Sequence, residues 1–304
     1  MEWFINRNPS AFSAQTLFSL IINPWYGANG IKCHICVHFQ TKMVQYEYNY
    51  KDIEYVGEGT QATVFRATSV LTNKQVAIKV YAPNKFECFR ELGILKHIQR
   101  LKLRNSIQFV ETLLDNGHML LISEYFLGIE LHDFLVDGKI QSYEQLKSIC
   151  KKILLAVHEL HENNICHLDL KLENIMINEQ TEEIKLIDFG FAEITKDEPN
   201  NEEKILNKYR GSIHYSAPEI ITNIPYDGKK ADIWSLGVLF YALYTQQLPF
   251  SGSNRIVAQK VMKNELLFPS NFHPLLQQVI EVMMKTDPTK RPPTKILLQH
   301  PFFL

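Results

Sequence analysis

Over residues 48–80 apolar and polar positions alternate with a period near two, interrupted by glycine and asparagine turns. That pattern predicts strands up to Val56, over 63–68 and over 75–80, joined as an antiparallel meander by a glycine turn and by Thr72-Asn73-Lys74. From about Asn84 to Gln99 the period lengthens: Phe86, Phe89, Leu92, Leu95 and Ile98 recur every third residue, which predicts a helix. Two further strands are expected over 107–114 and 118–124, separated by Asp115-Asn116-Gly117.

After the linker Phe126-Leu127-Gly128 the pattern becomes mainly helical. Ser142-Tyr143-Glu144-Gln145 reads as a capping box, followed by apolar residues at 146, 149, 150, 153, 154, 157 and 160. The stretch 232–244 is apolar nearly all round, as expected of a helix buried in a large domain. Residues 1–42 differ from the rest: aromatics, Asn, Pro and Gly follow no sustained period, and the piece is too short for a core of its own. Within it, Cys33-His34-Ile35-Cys36 with His38 has the look of half a zinc site, but the next cysteine is Cys88, so a second ligand pair is missing.

Composition narrows the class of function. The 304 residues are 45% hydrophobic and carry 32 basic against 33 acidic side chains, so no charge excess points to nucleic acid or an anionic membrane as the main partner. The longest apolar run near the N-terminus, 17–22, falls far short of the ~20 residues that span a bilayer. Five scattered cysteines form no framework, which suits a reducing, intracellular setting, cytoplasmic or nuclear.

The chemistry sits in an ordered series of short motifs. A strand, then Gly57-Glu58-Gly59-Thr60-Gln61-Ala62, then another strand makes a hairpin whose missing side chains admit phosphate oxygens to backbone N–H groups. The next strand carries Val76-Ala77-Ile78-Lys79, an apolar pattern ending in a cation. Residues 166–174, Cys-His-Leu-Asp-Leu-Lys-Leu-Glu-Asn, gather a carboxylate, an ammonium and an amide within six positions, and Asp188-Phe189-Gly190 follows an apolar strand at 184–187. Ala217-Pro218-Glu219, Asp232 and Arg291 complete the series.

In this order and spacing the motifs resemble those of eukaryotic-type protein kinases, over roughly residues 50–304. The resemblance implies a two-lobed α+β fold: a domain over 43–304, with a small antiparallel β lobe at 48–124 bearing one main helix, a hinge at 125–129 and a larger, mostly helical lobe at 130–304. It also implies ATP and Mg2+ as cofactors, with Mn2+ as a substitute, and a protein substrate. Gly57, Glu58 and Gly59 would cover the phosphates, with Ala62 where a third glycine is usual. Lys79 would grip the α and β phosphates and be held by Glu91, in preference to Glu87. Asp169 would accept the substrate hydroxyl's proton, Lys171 would neutralise the moving phosphoryl group, and Asn174 with Asp188 would hold the metal. Val64, Ala77 and Met176 would sandwich adenine, Glu124 and Phe126 would offer backbone groups, and Glu130 would bind ribose. Glu219 and Arg291 would form a buried ion pair, and Asp232 would brace the catalytic loop or cap its helix.

Lys171 and Gly211-Ser212 resemble the serine/threonine class, and the stretch 211–219 with Gly252 and Asp287-Pro288-Thr289-Lys290-Arg291-Pro292 resembles the calcium/calmodulin-dependent and AMP-activated group. Glu130 and Glu173 match acidic positions that favour arginine ahead of the phosphoacceptor, while Gln259 stands where a third acid would help. Ser123, small and just before the hinge, implies an open pocket behind adenine. Leu168 departs from the family pattern: an arginine there usually pairs with a phosphorylated activation segment, and residues 197–208 contain no Ser, Thr or Tyr, so activity without such phosphorylation is expected. The activation segment would run from Asp188-Phe189-Gly190 through Ser212 to Glu219, with Thr195, Tyr209 and Ser212 as its hydroxyls, Ser212 in a structural role beside Asp169 and Lys171. The rival class is a pseudokinase scaffold that binds nucleotide or partners without transfer, against which stand Lys79, Asp169, Asn174 and Asp188. A small-molecule kinase is disfavoured because 211–219 resembles a peptide-positioning segment. No regulatory partner is legible, and the sequence stops at Pro301-Phe302-Phe303-Leu304, where such domains end.

Overall fold

The computed structural model describes residues 49–59, 62–83, 87–115, 117–197 and 202–304. The extension at 1–42 with its Cys33–Cys36 cluster, Thr60-Gln61, Asn84, Phe86 and Asn116 lie outside the described residues.

The small lobe is built from β1 (Tyr50–Glu58), β2 (Ala62–Ser69), β3 (Gln75–Tyr81), α1 (Glu87–Leu101), β4 (Phe109–Asp115) and β5 (His118–Glu124). The five strands form one antiparallel sheet in the order β1-β2-β3-β5-β4, so the only departure from sequence order is the exchange of the last two. Strand β1 continues to Glu58, further than the alternating pattern implied, because after a bulge between Tyr55 and Gly57 the pairing resumes as Gly57 with Val64 and Glu58 with Thr63.

Helix α1 buries Cys88, Glu91, Ile94, Leu95 and Ile98. Phe89, expected on the core face, is 60% exposed. A strict spacing of three drifts around a 3.6-residue helix, whereas steps mixing three and four stay on one side. The buried stripe follows the mixed spacing, one position away from Phe89.

The large lobe begins with β6 (Ile129–Glu130) and α2 (Leu131–Val136), followed by α3 (Tyr143–Glu162) and β7 (Ile165–Cys166). All seven apolar positions expected on α3 are buried. Ser142 caps the helix by accepting from Gln145 N, but the Gln145 side chain accepts from Gln141 N rather than closing the box on Ser142. Strands β8 (Ile175–Ile177) and β9 (Ile184–Leu186) join β6 in a three-stranded sheet under the cleft. Then come β10 (Glu193–Ile194), which pairs with β7, and β11 (Lys196–Asp197), which pairs with β12 (Glu202–Glu203). The chain closes with α4 (Pro218–Ile221), α5 (Gly228–Thr245), α6 (Asn254–Met262), α7 (Pro274–Met283) and α8 (Thr294–Leu297). Asp227, not Asp232, caps α5, accepting from Lys229 N at 2.8 Å; Asp232 lies in the second turn, free for another task.

Two apolar cores result. The larger is continuous through both lobes, linking Tyr81, Leu95, Ile98 and Leu121 to α3 and α5 residues such as Ile149 and Trp234. The smaller lies on the other face of the five-stranded sheet and consists of Tyr50, Ala67, Val76, Ile78, Leu120 and Ile122.

Candidate active site

The alternation of β3 sets the upper half of the site. Val76 and Ile78 point into the small core, so Ala77, Lys79 and Tyr81 occupy the opposite face of the strand. Cross-strand neighbours share a face, which places Val64 opposite Lys79 and Ser123 opposite Ala77. Met176 stands in β8, in register with Glu130 of β6.

Lys79 Nζ lies 2.8 Å from Glu91 Oε2 and 2.8 Å from Asp188 Oδ1, one ammonium between two carboxylates. Glu87 takes no part in these contacts. Burial works against the Lys79 charge, but Glu91 and Asp188 outweigh it and hold the ammonium above its ordinary range. Burial likewise opposes ionisation of Asp188, yet Lys79 and the Gly190 N–H hold its carboxyl below the usual range. For Glu91, fully sequestered on α1, burial pushes the carboxyl up against the pull of Lys79. Tyr81 donates its hydroxyl to Glu91, and Arg90 Nη1 donates to Gly190 O at 3.3 Å. Neither was singled out from sequence, although Tyr81 could have been: it lies two residues beyond Lys79, on the same strand face.

The lower half is a loop held from below. Asp232, wholly buried, accepts from the backbone N–H groups of His167 and Leu168 at 2.8 Å each and from His161 Nε2 at 2.9 Å. Leu168 has φ +63°, a conformation costly for a branched residue, and its N–H bond to Asp232 keeps it there. The His167 ring donates from Nε2 to Ile187 O at 3.0 Å and packs 5.0 Å from the buried Phe189 ring, which ties the loop to the Asp188 segment.

Asp169 collects the remaining groups. Asn174 Nδ2 donates to its Oδ2 at 2.9 Å and its carbonyl at 2.8 Å, Ser212 Oγ donates to Oδ1 at 3.0 Å, and Lys171 Nζ stands 3.0 Å from Oδ2. Gly211 makes this closeness attainable: at φ +83° a Cβ there would come 2.5 Å from Leu168 O. At the hinge, Glu124 accepts from Lys185 Nζ at 2.9 Å, and its own N–H is committed to Gln108 O, which leaves the carbonyl as its backbone offer. Further down, Glu219 and Arg291 form a two-point pair at 2.5 and 2.8 Å.

Two clusters therefore face one cleft: an ammonium fixed between acids on one side, and a carboxylate flanked by an amide, an ammonium and a hydroxyl on the other. A family model described as the protein kinase domain matches residues 50–303. This chain belongs to that family. Among its relatives, the kinase domain is 34% identical over 261 residues to a probable serine/threonine-protein kinase of Dictyostelium discoideum, covering 82% of this chain and 30% of that protein. It is 34% identical over 256 residues to the probable serine/threonine-protein kinase MARK-B of the same organism, covering 80% of this chain and 34% of that one. With the SNF1-related protein kinase catalytic subunit alpha KIN12 of Arabidopsis thaliana it shares 32% identity over 271 residues, 86% of this chain and 53% of that protein. The chain thus spans roughly a third to a half of the length of these relatives. Among its described residues no helix is long and apolar enough to cross a membrane.

Proposed function

We propose that the chain is a serine/threonine protein kinase that moves the γ-phosphoryl group of ATP to a hydroxyl of a protein substrate. The observation that carries this reading is the surroundings of Asp169: a carboxylate with Lys171 at 3.0 Å and Asn174 at 2.9 Å, across the cleft from Lys79. Lys79 binds the α and β phosphates, held in place by Glu91. Gly57, Glu58 and Gly59 cover the phosphates from above, while Val64, Ala77 and Met176 enclose adenine, Glu124 and Phe126 bind its edge and Glu130 the ribose. The substrate oxygen forms its bond to phosphorus as the bond to ADP breaks; the hydroxyl proton passes to the Asp169 carboxylate and Lys171 neutralises the phosphoryl oxygens.

The family uses ATP with a divalent metal. Asn174 and Asp188 are the side chains that would hold the cation, here Mg2+, with Mn2+ as its substitute. Asn174 turns its amide nitrogen to Asp169, which leaves its oxygen for a hard cation. When bound, the cation screens the charge of the phosphates.

The three described cysteines, all buried free thiols, support an intracellular setting, cytoplasmic or nuclear. The test is transfer of labelled phosphate from ATP to a Ser/Thr peptide library by the purified chain. Transfer is expected; ATP binding without transfer would instead identify a scaffold.

Two narrower outcomes follow. Glu130 and Glu173, both partly buried, are the carboxylates that would meet a substrate guanidinium. Arginine is therefore expected to be enriched upstream of the phosphoacceptor in a positional peptide library, and a flat profile there would refute it. Ser123 shares a strand face with Ala77, so an ATP-site inhibitor with an enlarged aryl group should bind, and Ser123→Met should weaken it about tenfold or more by crowding. An unchanged inhibition constant would count against this placement.

A further inference from the structure

The activation segment leaves the Asp188 turn, pairs through β10 with β7 and returns at Arg210-Gly211-Ser212 beneath Asp169. Where the family pattern has an arginine in the catalytic loop, Leu168 is buried and apolar, so no cation stands there. The charges that matter lie inside the segment. Glu193, opposite Cys166 in the β7–β10 ladder, accepts from Lys204 Nζ at 2.8 Å and pairs with Arg210 Nη1 at 2.7 Å. Arg210, itself buried, also donates to Phe191 O at 2.9 Å. It thereby fastens the start of the segment to its end, one residue before Gly211 fits against Leu168 O and two before Ser212 bonds Asp169.

Glu193 is partly buried, which opposes its charge, but Lys204 and Arg210 outweigh this and hold the carboxyl below its usual range. The candidate hydroxyls do not offer a comparable anchor. Thr195 is buried and donates to Asn164 O at 3.1 Å, Ser212 is engaged by Asp169, and Tyr209 points to solvent.

We propose that Glu193 is a positioning residue, whose carboxylate holds Arg210 and Lys204 so that residues 210–212 stay seated under Asp169 and the segment is ordered without an added phosphate. This rests on the kinase reading above. An unpaired, buried Arg210 would otherwise have to move outward to water, taking Gly211 and Ser212 with it.

The test uses the phosphatase-treated full chain beside Glu193→Gln, Arg210→Met and the double variant. Glu193→Gln is expected to lower kcat roughly tenfold or more with the ATP dissociation constant unchanged, and the double variant to be no worse than the poorer single one. A loss confined to kcat separates positioning from general unfolding, which would weaken ATP binding as well. Hydrogen exchange over residues 202–212 should rise at least about tenfold in Glu193→Gln. Full kcat in that variant, or loss of wild-type activity on phosphatase treatment, overturns the proposal. If the wild type binds ATP but transfers nothing, the kinase reading fails by itself; the exchange measurement still decides whether Glu193 orders the segment, and unchanged exchange overturns it.

Discussion

Asp169→Asn and Asp188→Ala are each expected to lower phosphoryl transfer by ~10^3-fold or more, measured as labelled phosphate on a Ser/Thr peptide. The first keeps the volume of the side chain and removes the charge that sits 3.0 Å from Lys171, together with its capacity to take a proton. The second removes one of the two acids that flank Lys79 but leaves the other, Glu91, at 2.8 Å. Lys79 therefore keeps a partner, and the folded state is expected to survive in both variants, as a thermal melt would show. The two losses should differ in kind. Asp188→Ala should also weaken nucleotide binding at a given metal concentration, whereas Asp169→Asn should leave it close to the parent. Transfer by Asp188→Ala at the parental rate would remove the metal role assigned to that residue.

The second large effect is on stability. All five guanidinium N–H groups of Arg291 are used, on both Glu219 oxygens and on the carbonyls of Lys285, Lys230 and Thr286. The guanidinium also lies 5.1 Å from the Trp234 ring. Removing the carboxylate alone, as in Glu219→Gln, leaves a charge with no counter-ion at zero exposure and is expected to destabilise by ~3–5 kcal/mol. Set against a total of roughly 5–15 kcal/mol, that puts the variant near unfolding, with a melting temperature lower by on the order of 10 °C. Replacing both partners by apolar residues, Glu219→Leu with Arg291→Met, should recover much of the loss, because no isolated charge then remains. A melt of Glu219→Gln matching the parent would show that the pair bears little on stability.

Most of the architecture was legible from periodicity. The alternation over β2 and β3 placed those strands within about a residue, and the mixed three-and-four spacing of α3 named its buried face apart from Ala156 and His161. On helix α1 the expected Leu95 and Ile98 are buried and Leu92 packs against the core, but Phe89 falls outside it, and the buried face includes an acid, Glu91, that no hydrophobic pattern can reveal. The bracing of the catalytic loop by Asp232 was expected from the family resemblance alone, since its partners, the amides of His167 and Leu168, lie some 65 positions away and no periodicity links them. The Glu193–Arg210–Lys204 cluster, which belongs to no family motif, was missed. Charged side chains in an irregular segment carry no period, and only the folded path shows that three of them meet.

The unequal division of the apolar interior bears on how the two lobes can be separated. The sheet's outer face has six buried residues to itself, whereas its inner face belongs to a core that continues into the helices below. Cut at the hinge, the small lobe would keep those six and the inner-face contacts of Tyr81, Leu95, Ile98 and Leu121 with one another, but would expose the side of that core now covered by the large lobe. The small lobe is thus a lobe in shape that shares its inner core with its neighbour, and its isolated stability is expected to fall well below that of the whole domain.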